Sequence, residues 1–206
     1  MYARSTTFQA ELSSIDTGIA YMRNSVMPAL EELGAAGMSL MVDRRSGRCI
    51  ATTAWESEAV MRLTAHAARP LGVRAAAILN GMRTDISEWE VAALHRDHRS
   101  PKGACLRVVW FQVQPDQIDH ATDVYRISVV PSLEELEGFC SASLLVDRTS
   151  GRAVSSVTFD SAAALDRNRG PASALRDAKL AALGASLTDV REFELAIAHL
   201  RVPELV

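Results

Sequence analysis

The sequence predicts an α+β protein built from two tandem copies of one βαββαβ unit. Three observations carry that prediction. The stretch Leu40-Met41-Val42-Asp43-Arg44-Arg45-Ser46-Gly47-Arg48 returns 104 positions later as Leu144-Leu145-Val146-Asp147-Arg148-Thr149-Ser150-Gly151-Arg152. Upstream, Arg4, Phe8, Gln9, Ile15, Asp16, Arg23, Pro28 and Leu30 recur at an offset of 103 as Arg107, Phe111, Gln112, Ile118, Asp119, Arg126, Pro131 and Leu133. Downstream, Thr84-Asp85-Ile86-Ser87-Glu88-Trp89 is answered by Thr188-Asp189-Val190-Arg191-Glu192-Phe193. Matches strung along a whole chain at a near-constant offset mark a tandem duplication.

Each copy reads strand, helix, hairpin, helix, strand. Residues 3–11 and 105–114 are β-prone. Ile15, Ile19, Met22, Val26, Leu30 and Leu33 then follow at spacings of three or four, one apolar stripe on a helix. Copy two places Ile118, Thr122, Tyr125, Val129, Leu133 and Leu136 there. Ser13 or Ser14 and Asp116 are the expected N-caps. Pro28 and Pro131 lie inside the stripe, where a proline removes a backbone hydrogen bond at about 3 kcal/mol. A kink or break is expected just before each. Hairpin strands follow at 38–43 with 48–55 and at 142–147 with 152–159. The Ser-Gly near the end of each loop supplies the left-handed position that such turns need. Ser57 and Ser161 are placed to cap Ala-rich helices over 57–80 and 161–183, which Pro70 and the Gly170-Pro171 pair are expected to split. Final strands are read at 85–95 and 189–199.

This order is ferredoxin-like. The expected domains are 1–94 and 105–206, joined by the polar segment 95–104, which carries Pro101 and Gly103 as a linker should. Such a unit has helices on one face of its sheet only, and the other apolar face needs cover. The second copy is the simplest cover. It would make a pseudo-dimer within one chain, and a further homodimer stays open.

The totals narrow the function classes. Apolar residues make up 48% of the 206, enough for a core, but only 5% are aromatic, so the filler is aliphatic. With 22 basic against 25 acidic side chains, neither a nucleic-acid nor an anionic membrane partner is expected. Cys49, Cys105 and Cys140 are odd in number and show no framework spacing, which fits a reducing cytosol. No apolar run reaches the roughly 18–20 residues of a membrane span. A cytoplasmic protein is expected.

The βαββαβ order, the Asp43-to-Arg48 hairpin and Thr53-Ala54-Trp55-Glu56-Ser57 leaving the third strand together resemble the dimeric α/β-barrel superfamily. The likeness is to its antibiotic-biosynthesis-monooxygenase-like members, and the wording as a whole is similar to a group of uncharacterised actinobacterial tandem proteins. It spans both copies, although Phe159-Asp160-Ser161 replaces Trp55-Glu56-Ser57 in the second. The resemblance implies two ferredoxin-like repeats forming an intramolecular dimeric α/β barrel. It implies a sheet–helix cavity able to hold an aromatic polyketide, or a haem in the haem-degrading branch. That branch needs an Asn on the first strand, and a Trp and a ligand His on the second helix. Here the strand offers Ser5, Thr6 and Thr7, the helix has only His66 nearby, and Gly170 stands at the equivalent of His66. Those departures argue against haem cleavage.

The implied activity is cofactor-independent oxidation of an aromatic substrate, with no metal or flavin. Phe8, Trp55 and Trp89 would wall the pocket, and His66 or Glu88 would accept a proton. Each has a plainer role open to it. Large aromatics commonly serve as core bulk. Glu88, like Glu192, lies where Arg4 or Arg107 on the first strand could pair with it, and structural ion pairs outnumber catalytic ones. A lone helical His such as His66 is commonly exposed or satisfied in the core. No metal site is expected, because His95, His98 and His199 form no three- or four-ligand cluster. The Arg44–Arg48 hairpin reads as a solvated loop. The alternative function is a non-catalytic ligand-binding or interaction module with closed cavities. An open pocket of a few hundred Å³ separates the two, and since copy two lacks His66 and Trp55, at most one copy is expected to be active.

Overall fold

The computed structural model describes residues 1–200 and 202–205. The chain divides into two compact units: unit 1 is Met1–Trp89 with Glu194–Val202, and unit 2 is Glu90–Phe193 with Pro203–Val206. In the first copy, β1 (Tyr2–Gln9) leads into α1 (Ile15–Tyr21), a π turn (Met22–Val26) and α2 (Met27–Glu32). The hairpin β2 (Gly37–Val42) and β3 (Arg48–Trp55) follows, then α3 (Glu58–Leu63), α4 (Ala65–Ile78) and β4 (Met82–Arg96). The second copy repeats this as β5 (Cys105–Gln112), α5 (Ile118–Val124), a π turn (Tyr125–Val129) and α6 (Val130–Glu134). It continues through β6 (Phe139–Asp147), β7 (Arg152–Phe159), α7 (Ala162–Arg167), α8 (Arg169–Ala182) and β8 (Ser186–Leu200). Within unit 1, β1 pairs with β3, β3 with β2, and β2 with the second half of β8; within unit 2, β5 pairs with β7, β7 with β6, and β6 with the second half of β4.

The last strand of each copy is longer than the periodicity suggested, and its two halves do different work. In unit 2, Glu90 to Arg96 of β4 pair antiparallel with β6; in unit 1, Glu194 to Leu200 of β8 pair with β2. Both ladders contain a one-residue slip, between Val91 and Ala93 and between Leu195 and Ile197. A bulge leaves one backbone group outside the ladder. Here Arg126 donates to the Ala92 carbonyl at 2.5 Å and Arg23 to the Ala196 carbonyl at 2.8 Å. That is what the repeated Arg23/Arg126 position does.

The recurring Asp-x-x-Ser-Gly loop is a local hydrogen-bond device. Asp43 accepts from the Arg45 N–H at 2.9 Å and from Ser46 Oγ at 2.6 Å, and Asp147 accepts from Thr149 N–H and Ser150 Oγ in the same way. Burial pushes the Asp43 carboxyl up, but these bonds outweigh it and hold the group below the ordinary carboxylate range. Gly47 has φ +79, and a Cβ there would overlap the Ala10 carbonyl oxygen, so the close approach of the loop to the end of β1 requires glycine. The loop arginine is not left to solvent. Arg44 bridges Asp16 (2.9 Å) and Glu194 (2.6 Å), and Arg148 bridges Asp119 (2.7 Å) and Glu90 (2.6 Å).

The helices meet expectation at one point and differ at two. Pro28 and Pro131 do not end the first helix: the irregularity expected just before each is a five-residue π turn, Met22–Val26 or Tyr125–Val129, and α-helix resumes with the proline in its first turn. Neither Ser14 nor Asp116 caps; a 3₁₀ turn, Leu12–Ser14 or Pro115–Gln117, precedes the helix instead. The second helix breaks at Thr64 and Asn168, ahead of the prolines. Thr64 Oγ1 donates to the Val60 carbonyl at 2.8 Å and the Asn168 amide to the Ala164 carbonyl at 2.9 Å, closing the first segment. Pro171 then falls in the first turn of α8, where an N–H has no helical partner anyway. Pro70 sits inside α4, where the bond it forfeits is to His66, on an exposed face.

Ser57 and Ser161 do cap, accepting from the N–H of Val60 and Ala164, both at 3.2 Å. Ser57→Ala should lower the unfolding free energy by about 1 kcal/mol in urea titration. A loss under a few tenths would show that the cap is idle. The predicted stripe is the core side of the first helix: Ile15, Ile19, Met22, Val26 and Leu30 are all buried, with Phe8, Leu40 and Trp55 in the same cluster. Each such side chain contributes about 1.5–3 kcal/mol by leaving water.

Candidate functional site

Between the sheet and helices of unit 1 lies a cavity of about 400 Å³. Its floor is apolar: Phe8 of β1, Met22 and Val26 of the π turn, Leu30 of α2 and Met38 of β2. α4 roofs it with small residues, Ala65, Ala68, Gly72 and Ala75, which is why there is space at all. Polar groups enter from one side: Arg4, Thr6 and Thr53 from β1 and β3, Arg83 and Glu88 from β4, and Arg69 from α4.

Arg4 and Glu88 form a tight pair in the wall. Arg4 donates through Nε (3.2 Å) and Nη2 (2.7 Å) to Glu88 Oε1, and through Nη2 to the Met61 carbonyl at 3.0 Å. That carbonyl belongs to the helix turn that ends at Thr64, so the break in the helix is also an acceptor site. Glu88 Oε2 lies 3.6 Å from Arg62 Nε.

Unit 2 has the same cavity in reduced form, about 80 Å³. Where unit 1 has Met22, unit 2 has Tyr125, buried in its core. Its hydroxyl donates to the Ser143 carbonyl at 2.9 Å and accepts from Ser155 Oγ at 3.3 Å; burial pushes its pKa up, so it stays a neutral phenol. The roof is heavier too. Gly72 and Ala75 are replaced by Arg176 and Lys179, held by Asp177 (2.7 Å) and Ser128 Oγ (2.6 Å). Arg107 repeats Arg4 but is more deeply buried, bonded to Glu192, Ser173 Oγ and the Arg169 carbonyl.

Of the five residues singled out from sequence, Phe8 and Glu88 line the unit 1 cavity. Trp55 is fully buried in the core beside it, its indole N–H donating to Thr53 Oγ1 at 3.2 Å. Trp89 is buried with its indole N–H on Ser5 Oγ at 2.8 Å. His66 is exposed on α4 and is not among the lining residues. Met22, Arg69, Gly72 and Arg83 were not singled out. The signal for them was the difference between copies: Met22 against Tyr125, Gly72 against Arg176, Arg83 against Leu187.

Among the described residues no group of three or more His, Cys, Asp or Glu is arranged to hold a metal ion, and no helix is long and apolar enough to cross a membrane. Cys49 and Cys140 are buried, and burial pushes both thiols up to about 11. At pH 8 a disulfide reagent should therefore modify Cys105 in the native protein well before the other two, and all three in urea. Three equal native rates would contradict this placement.

Together the repeated βαββαβ order and the sheet–helix cavity give the chain the fold of the dimeric α/β barrels related to antibiotic-biosynthesis monooxygenases. Solved structures agree at the level of fold. A provisionally named monooxygenase from Lactobacillus acidophilus superposes with a TM-score of 0.66 at 10% identity, covering 97% of this chain and 96% of that one. An anthrone oxidase-like protein gives 0.63 at 13% identity, covering 94% and 90%. An uncharacterised ferredoxin-fold protein from Listeria monocytogenes, related to antibiotic-biosynthesis monooxygenases, gives 0.54 at 9% identity and covers 94% of each chain. No protein-family model matches. The chain belongs to the family of Rv2557 and Rv2558, two uncharacterised proteins of Mycobacterium tuberculosis: each is 55% identical to it across its whole length, which spans 92% and 88% of theirs.

Proposed function

We propose that this is a monooxygenase-like small-molecule protein whose unit 1 cavity takes an electron-rich aromatic substrate, with unit 2 kept as scaffold. One observation carries the reading: the same architecture leaves about 400 Å³ in unit 1 and about 80 Å³ in unit 2. The larger volume is within the range that holds small ligands, and its wall mixes apolar bulk with a few polar groups. The fold shared with an anthrone oxidase-like protein suggests the chemistry to try. An anthrone methylene reacting with dioxygen becomes a carbonyl, with one oxygen atom retained and the other leaving as water. The substrate supplies the electrons, so neither flavin nor metal enters the balance.

A second reading has its own support. Among the described residues Glu88 is the one carboxylate in the cavity wall, and its Oε1 already accepts two N–H bonds from Arg4. His66, the other proton acceptor considered, is not in the wall. That arrangement suits non-catalytic binding. Dithranol, a dihydroxyanthrone, separates the two. Oxidation predicts a thermal shift together with oxygen uptake above the buffer rate, both lost in Met22→Tyr. A thermal shift without uptake selects the binding module. No shift and no uptake would remove the aromatic-ligand reading.

A further inference from the structure

We infer that Arg69 and Arg83 form the anion-recognising mouth of the unit 1 cavity, and that its ligand is an aromatic carboxylate. This rests on the reading of that cavity as a binding site and adds the chemical class of what it binds.

Charge inventory leads to it. Arg4, Arg69, Arg83 and Glu88 line the cavity, three guanidiniums against one carboxylate. Arg4 is matched by Glu88. The side chains of Arg69 and Arg83 make no hydrogen bond or ion pair among the described residues. In the smaller cavity of unit 2 every lining cation among the described residues is engaged: Arg107 with Glu192, Arg176 with Asp177, Lys179 with Ser128. A guanidinium stays charged at any pH a protein meets. At the rim of an apolar hollow two such groups, with no carboxylate beside them, are free to take up an incoming anion.

The two cations lie along one helix. A Cβ at Gly72 would stand at ordinary contact distance, 3.4 Å, from Arg83 Nη1, so the guanidinium lies beside α4 at that position. Arg69 precedes Gly72 by three residues and so lies on the same face of that helix. In unit 2 the three positions hold Ser173, Arg176 and Leu187, and neither the two cations nor the space is kept. Arg69 is exposed and Arg83 half-buried, which puts the charge at the rim while Phe8, Met22 and Val26 receive the apolar body. A planar carboxylate matches the donor fork of arginine, and such bonds are the strong ones.

The test uses two fluorescent probes of nearly one shape, anthracenecarboxylate and anthracenemethanol, titrated into the full chain. The carboxylate should bind on the order of tenfold more tightly than the alcohol. The double variant R69Q/R83Q should bring the carboxylate down to the alcohol's affinity and leave the alcohol unchanged. Neither side chain has a partner among the described residues, so the variant has no native bond there to lose, and its melting temperature checks this. M22Y should abolish both probes. Equal affinities in the wild type, or a preference that survives in R69Q/R83Q, would overturn the carboxylate inference alone. If neither probe binds, the cavity reading itself falls and the inference with it.

Discussion

Arg107→Met should lower the unfolding free energy by about 3 kcal/mol at neutral pH, toward the lower end for one partner removed from a buried pair. Arg107 is 4% exposed and makes four hydrogen bonds, two of them to Glu192 Oε1 at 3.2 and 2.6 Å. Methionine keeps the bulk of the stem but leaves Glu192 facing Arg169 alone. Burial pushes the Glu192 carboxyl up, yet hydrogen bonds from Arg169 and Arg107 and their charge outweigh it and hold the group below the ordinary value. A carboxylate whose folded pKa is depressed contributes its full stability above its unfolded pKa of about 4.3 and loses it as pH falls through the folded value. The wild-type-to-variant difference in urea midpoint should therefore be largest near pH 7 and close as pH drops below about 4. Arg4→Met supplies the control from the other copy. Its partner Glu88 is 37% exposed, so solvent screening should hold that loss to about 1 kcal/mol. Equal losses at the two sites, or a difference that ignores pH, would contradict this account.

That pair was legible in the sequence because it depends on register. Arg4 and Glu88, like Arg107 and Glu192, sit at fixed places on strands whose alternation can be counted, and the duplication displays the pattern twice. The hairpin loops and the Ser57 and Ser161 caps were legible for the same reason, since each is settled within a few residues. The π turns were not. Pro28 announces only that an N–H is missing, and whether the helix stops or widens depends on the apolar stripe held against the sheet on both sides of it. The breaks at Thr64 and Asn168 were hidden in a similar way, because they depend on side-chain bonds back to Val60 and Ala164 that composition does not reveal. His66 and Trp55 drew notice as rare residue types. The cavity, however, is defined by what is small: it exists because Gly72 and Ala75 are not Arg176 and Lys179, and because Met22 is not Tyr125. Volume is a property of several elements together, and only the comparison of one copy with the other hints at it.

Met22→Tyr tests that claim directly and should remove ligand binding while sparing stability. Both residues occupy the first position of a π turn, Met22–Val26 in unit 1 and Tyr125–Val129 in unit 2. In unit 2 the phenol spans the space and donates to the carbonyl of Ser143, whose counterpart in unit 1 is Ser39 of β2, so the same kind of acceptor is present. The second contact, Ser155, corresponds to Ala51, and adding Ala51→Ser rebuilds it. The double variant thus copies an arrangement that this fold already accommodates. Overpacking a filled core costs about 1–3 kcal/mol, but here the ring enters empty volume, and the change in urea midpoint should be close to zero. A ligand at a hundred times its Kd stabilises the wild type by about 2.7 kcal/mol, and that increment should vanish in the variant. The reverse change, Tyr125→Met, should widen the unit 2 cavity without creating a carboxylate site, since Ser173 and Leu187 stand where Arg69 and Arg83 would be needed. A Met22→Tyr/Ala51→Ser protein of native stability that still gains the full increment from ligand would place the binding site elsewhere.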